Sequence, residues 1–201
     1  MHPAVFDTFE KIISGKDLTG PVLEVGAVPS EKTLLNLPSL ANLPDKTGIN
    51  MDGPYAFKDY RFIRSNANCL DMFPDNYFGI VLCNAMLEHD KYFWKSIAEM
   101  KRVTRPGGWV IIGTPGYAGP RFRKLKERFG RTNWYKKLQK SAGMNRFLVS
   151  TPTLELHGDV WGDFYRFSPA AFREVFFEGY REVSIVQIMN PPSIIGSGRK
   201  T

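Results

Sequence analysis

Apolar and polar positions alternate along this chain in blocks of two kinds. Val5, Phe6, Phe9, Ile12 and Ile13 repeat at helical spacing and predict an amphipathic helix. Pro21 to Gly26 (PVLEVG) predicts a short buried strand. Thr47 to Met51 and Arg61 to Asn66 predict two more, with a stunted helix between them opened by Gly53-Pro54. Ser30 is a candidate N-cap for a short helix ending before Pro38.

The most legible block runs from Phe73 to Pro115. Phe78 to Asn84 (FGIVLCN) is nearly all apolar, as a strand covered on both faces should be. Asp90 is placed to cap the next helix, which carries Phe93, Ile97, Met100 and Thr104 on one face and ends at Pro106-Gly107-Gly108. Trp109 to Thr114 (WVIIGT) then predicts a strand, completing a βαβ unit with a right-handed crossover. Regular structure fades from Pro115 to Asp163. It returns at Ser168-Pro169, an N-cap and N1 pair opening a helix whose buried face is Phe172, Val175 and Phe176. Glu182 to Met189 predicts a strand, and Ser193 to Lys200 a final antiparallel edge strand.

These elements predict a single α/β domain over residues 1–201, with an inserted cap or lid at about 116–164. The fold class is Rossmann-like: a seven-stranded, mostly parallel sheet, helices on both faces, and a basic insertion after the fifth strand. Charge sharpens the picture of the insertion. Ten basic residues lie between Arg121 and Arg146 against the single acid Glu127, a net of +9, whereas the rest of the chain is close to neutral at −2. Phe122, Phe129, Trp134, Tyr135 and Phe147 are interleaved with these charges. A lid over an anionic acceptor is the favoured reading. Peripheral membrane contact through 121–146 and RNA binding compete with it, as does a solvated cap without a partner. No apolar run approaches membrane-span length, the N-terminus lacks a signal-peptide layout, and the two cysteines sit in apolar surroundings. The expectation is a reduced, cytoplasmic protein.

In open α/β sheets, ligands bind beyond the carboxyl ends of the strands. Here those ends read Glu24-Val25-Gly26-Ala27, Asn50-Met51-Asp52, Asn66-Ala67-Asn68 and Asn84-Ala85-Met86-Leu87-Glu88-His89. Amides and carboxylates beside small or apolar residues suit a nucleoside.

The order EVG, GINMD, SNAN, FPDNYFGIVLCNAMLEH and RVTRPGGWVIIGTPG, followed by HGDVWGDFYRFSPAAFREVF, resembles the class I S-adenosylmethionine-dependent methyltransferases. It is closest to the small-molecule group with Leu-Glu-His after the fourth strand. The resemblance spans roughly residues 20 to 115 and 157 to 189. It implies S-adenosylmethionine as cofactor, a small-molecule acceptor, and cofactor contacts from Glu24, Gly26, Ala27, Asn50, Met51, Asp52, Asn66, Ala67, Asn68, Asn84, Ala85 and Met86. The chain departs from the family pattern at Val28 and Ser30, where glycines are usual, at Asn50 and Asn66, where acids are usual, and at Gly79, where an Asp is common.

Methyl transfer to oxygen or nitrogen calls for a base, and His89 and His157 are the candidates. Tyr165 and Arg166 are candidates for holding an acceptor's anionic group. No metal cluster is expected. Two alternatives stand beside the small-molecule enzyme: a methyltransferase-like binding module that has lost cofactor affinity, and an RNA methyltransferase using the basic insertion. A nicotinamide oxidoreductase is disfavoured, since no GxGxxG turn follows the first strand.

Overall fold

In the computed structural model of the chain, residues 1–116, 162–189 and 192–201 are described. The basic insertion predicted at about 116–164, with His157 in it, therefore lies almost wholly outside the described residues.

The expected βαβ unit is present. β5 (Phe78–Asn84) is buried along nearly its whole length, helix α2 (Phe93–Val103) buries Ile97, Met100 and Val103, and β6 (Thr104–Pro115) returns parallel to β5. Asp90 is not the N-cap, a position held by Tyr92. Instead its carboxylate accepts from the Tyr92 amide at 2.8 Å and from the Ser96 hydroxyl at 2.6 Å, bracing the chain as it enters the helix.

β1 (Val22–Val25), β2 (Lys46–Asn50) and β4 (Tyr60–Arg64) complete a parallel centre in the order β4-β2-β1-β5-β6. Alternate strand residues sort into two apolar clusters, as a period-two chain requires. Leu23, Val25, Val81 and Cys83 pack with Ile97 and Met100 of α2. Val22, Ile80 and Leu82 pack with Val5, Phe9 and Ile13 of α1 (Pro3–Ile13).

The sheet has eight strands, not seven. The extra one is β3 (Tyr55–Phe57), an antiparallel hairpin partner of β4, where a stunted helix was expected. Aromatic residues favour the strand, and Lys58 turns the hairpin at a φ of 52°. The last pair is also rearranged. β8 (Ser193–Lys200) is not an edge strand: it lies antiparallel between β6 and β7 (Tyr180–Ile188), and β7 is the edge. Side-chain size explains this. Ile194 and Ile195 are fully buried, and a Cβ at Gly196 would strike the Phe172 and Phe177 rings, and one at Gly198 the Phe177 ring, each at 2.6 Å. β7, with Arg181, Glu182 and Val183 exposed, suits an edge.

The helix opened by Ser168 is capped as expected, its hydroxyl accepting from the Ala171 amide at 3.2 Å. It is short. α3 (Pro169–Ala171) passes into a π-helical turn, Phe172–Phe176, closed by Phe177 N–H donating to Phe172 O at 2.9 Å. The wider turn puts Phe172 and Phe177 on the buried face and leaves the expected core residue Val175 48% exposed.

Gly79 departs from the family for a local reason. A side chain there would collide with the carbonyl of Thr19, which crosses the start of β5.

Candidate functional site

Four neighbouring parallel strands, β4, β2, β1 and β5, end along one edge of the sheet. This edge gathers the predicted cofactor residues, but their side chains do different things. At β1, Glu24 turns inward. Its carboxylate accepts from the Thr33 hydroxyl and from the Leu35 amide at 3.3 Å, capping the 3₁₀ turn Leu34–Asn36. Burial raises its pKa from 4.5 to about 7 against the opposing pull of those hydrogen bonds. The predicted helix after Ser30 is reduced to this turn and a second one, Pro38–Leu40.

Gly26 has a φ of 78°, which glycine adopts freely. A Cβ there would meet Met86 Cβ at 2.8 Å, so the Met86 side chain occupies the space the glycine leaves. The Gly26 and Ala27 amides both donate to Ile49 O at 2.9 Å. Asn50 Nδ2 donates to Ala27 O at 2.9 Å, and its Oδ1 accepts from the Asp52 amide at 3.4 Å. The turn after β1 is thus tied to the end of β2. Met51 projects beyond it, 60% exposed, with Asp52 exposed alongside.

At β4, Asn66 is exposed and its Oδ1 accepts from the Asn68 amide at 2.9 Å, while Ala67 is half-buried. Asn68 points away from this rim and donates to Asp90 and Ser96, both at 2.7 Å. At β5, Asn84 lies over Gly113, where no side chain would fit beside it. Ala85 follows at a φ of 51°, held by its amide bond to Gly113 O at 2.9 Å.

The 3₁₀ turn Leu87–His89 carries the site's least ordinary group. Glu88 has no exposed surface, and neither carboxylate oxygen has a hydrogen-bond partner among the described residues. Burial raises its pKa to about 7, partly offset by its own backbone N–H and then by the Arg166 charge. His89 is half-buried, with Nε2 3.8 Å from Glu88 Oε1. The Glu88 carbonyl accepts from the Phe164 and Tyr165 amides at 2.8 and 3.2 Å, clamping the turn to the chain that returns at residue 162. Tyr165 donates its hydroxyl to Lys91 O at 3.0 Å. Arg166 forms a forked pair with Asp163, its Nη2 2.6 Å from Oδ2.

Sequence reasoning did not pair Asp163 with Arg166, nor read Glu88 as a buried acid. The signal lay in the charged residues of LEH and DFYRF, but their meeting is tertiary. A separate cleft of about 670 Å³ opens at the amino ends of β2 and β4, lined by Lys46, Tyr60, Arg61 and Tyr77, and includes none of the predicted site residues.

Residues 45–112, about a third of the chain, match a methyltransferase-domain family model. Uncharacterized methyltransferases of Mycobacterium avium (strain 104) and Mycobacterium marinum (strain ATCC BAA-535 / M) are each 35% identical over 78 residues, which are 38% of this chain and 30% of the relative. The matched stretch thus spans less than a third of either relative. The fold is similar to Burkholderia thailandensis 1,6-didemethyltoxoflavin-N1-methyltransferase, solved with 1,6-didemethyltoxoflavin and S-adenosylhomocysteine. That likeness has a TM-score of 0.64 at 16% identity and covers 98% of this chain and 79% of the other. It is also similar to Haemonchus contortus phosphoethanolamine N-methyltransferase 2, solved with S-adenosyl-L-methionine, with a TM-score of 0.59 at 12% identity over 96% of this chain and 52% of the other. Residues 45–112 are thus similar to a methyltransferase domain, and the chain shares its fold with these two methyltransferases.

Proposed function

We propose that the chain binds S-adenosylmethionine along the carboxyl ends of β1, β2, β4 and β5 and methylates a small-molecule acceptor. The observation that carries this reading is the convergence of Gly26, Asn50, Asn66 and Asn84 on one edge of the parallel sheet. The rim fits a nucleoside. Met51 offers an exposed apolar surface for a ring, Asn66 offers an exposed amide, and Asp52 offers an exposed carboxylate for ribose hydroxyls, while Asn50 fixes the turn beside them. The bound group supplies an activated methyl at a sulfonium; the protein supplies position and a place for the acceptor's proton. His89 is the proposed base. It stands half-buried beside the β5 end, with its Nε2 3.8 Å from Glu88 Oε1. The 1,6-didemethyltoxoflavin bound by the structurally similar Burkholderia thailandensis enzyme illustrates the class.

Calorimetric titration with S-adenosylmethionine and S-adenosylhomocysteine tests the reading. Saturable binding that weakens on Asn84→Ala or Asp52→Ala supports it, and no heat at high micromolar cofactor overturns it. One observation favours a second reading, a binding module without cofactor: Met86 fills the space at Gly26, and the Gly26 and Ala27 amides are already bonded to Ile49. The same titration separates the two.

A further inference from the structure

Beside the mouth of the site, five aromatic rings form a continuous chain. Tyr92 and Trp94 meet at 5.7 Å between centroids, Trp94 and Phe93 at 5.4 Å, Phe93 and Tyr165 at 5.0 Å, and Tyr165 and Phe164 at 6.1 Å. Phe93 anchors the group by packing against buried Phe167 at 5.0 Å. The outer members are not covered. Tyr92, Trp94 and Phe164 are 43%, 49% and 51% exposed, a concentration of large apolar side chains that a soluble surface seldom leaves in water.

Charge joins this strip on one side. Lys91 and Lys95 are exposed, and their ammonium groups lie 5.5 and 5.2 Å from the Tyr92 ring centroid. The nearby acids are engaged elsewhere: Asp90 holds Asn68 and Ser96, and Asp163 holds Arg166. The patch is therefore aromatic, with two exposed cations at its edge.

We propose that Tyr92, Trp94 and Phe164, flanked by Lys91 and Lys95, dock this protein onto an anionic lipid bilayer. Indole and phenol rings with an apolar body and a polar tip partition to the headgroup layer, and lysines beside them add attraction to anionic lipid. Ring geometry favours lipid over RNA. Bases stack on open ring faces. Here the Tyr92 ring is already engaged by the Lys91 and Lys95 ammonium groups and by Trp94 at 85°, which leaves no open face for a base to stack on. Docking at this place would bring the strand ends toward the bilayer surface, because Tyr165 ties the patch to Lys91 and the adjoining turn carries Glu88 and His89.

The test is co-sedimentation of the full chain with phosphatidylcholine vesicles, with and without phosphatidylglycerol. The expected result is binding to the anionic vesicles that weakens with salt. Lys91→Gln with Lys95→Gln should lower the partition coefficient about tenfold or more, and Tyr92→Ala with Trp94→Ala about tenfold. The lysine side chains are exposed and their replacement leaves the core untouched, so that variant decides the matter even if the aromatic variant melts early. Three results overturn the proposal: no binding to either vesicle, binding that both double variants retain in full, or no vesicle binding accompanied by RNA-oligonucleotide binding or self-association that the same substitutions abolish.

Discussion

Glu24 and Glu88 sit at the ends of adjacent parallel strands. Both are buried, and burial raises both to about pKa 7. Their surroundings nevertheless oppose each other. Glu24 spends its carboxylate on Thr33 and Leu35 and holds a 3₁₀ turn in place. Glu88 has no hydrogen bond among the described residues and faces the Arg166–Asp163 pair and His89. A buried polar group without a partner costs stability, so a fold keeps one at a price that a structural role alone does not explain. The β1 end is built to hold the chain; the β5 end carries a group poised between charge states near neutral pH.

Four substitutions sharpen or break this contrast. The largest effect is expected from Glu24→Ala. It strands the Thr33 hydroxyl and the Leu35 amide and opens a void, at a cost of about 3–4 kcal/mol in chemical denaturation. A loss under about 1 kcal/mol would show that the turn does not depend on Glu24.

Glu88→Gln should do the reverse, and only at high pH. An acid whose pKa is higher in the folded than in the unfolded chain takes up a proton on folding. Its contribution is therefore fully present below about pH 4.5 and lost as pH rises through about 7. The amide cannot ionise, so the variant should match the native chain near pH 5 and exceed it by roughly 2–3 kcal/mol at pH 8. Parallel stability curves for the two proteins would remove Glu88 as a titrating group.

Gly26→Ala should cost about 2 kcal/mol, because the new Cβ meets Met86 and the φ of 78° disfavours a side chain. Gly26→Ala combined with Met86→Gly should cost less than the sum of the two single changes, since removing the Met86 Cβ and Cγ relieves the clash; additive costs would place Met86 elsewhere. The smallest effect is expected from Asn68→Ala, which removes the bonds to Asp90 and Ser96 for about 1–2 kcal/mol and leaves cofactor affinity unchanged. A fall in cofactor affinity at matched stability would return Asn68 to the binding rim.

The sequence reading recovered most of the scaffold where local pattern and tertiary burial agree. FGIVLCN is apolar because both faces of β5 are covered, and the 3.6-residue stripe of α2 faces the sheet it crosses. It erred where the deciding contact is distant. Gly53-Pro54 reads as a helix opening, yet pairing with Tyr60–Arg64 makes the next residues a strand. Val175 sits on the apolar stripe of an ordinary helix, but a π turn carries it outward and brings Phe177 in. The candidate site was legible as a set of strand ends, because polar residues stop apolar runs there. Which side chains face outward was not: Asn68 and Glu24 read like binding groups and are internal struts.

The sequence by itself determined the parallel centre, the helices α1 and α2, and the polar strand ends along one edge, since each follows from periodicity and from the residues that end it. The tertiary structure alone decided the eighth strand, the exchange of β7 and β8 at the edge, and the meeting of Glu88 with Arg166 and Asp163. Those depend on registers and close approaches between segments far apart in the chain, such as glycines opposite Phe172 and Phe177, which no local pattern encodes.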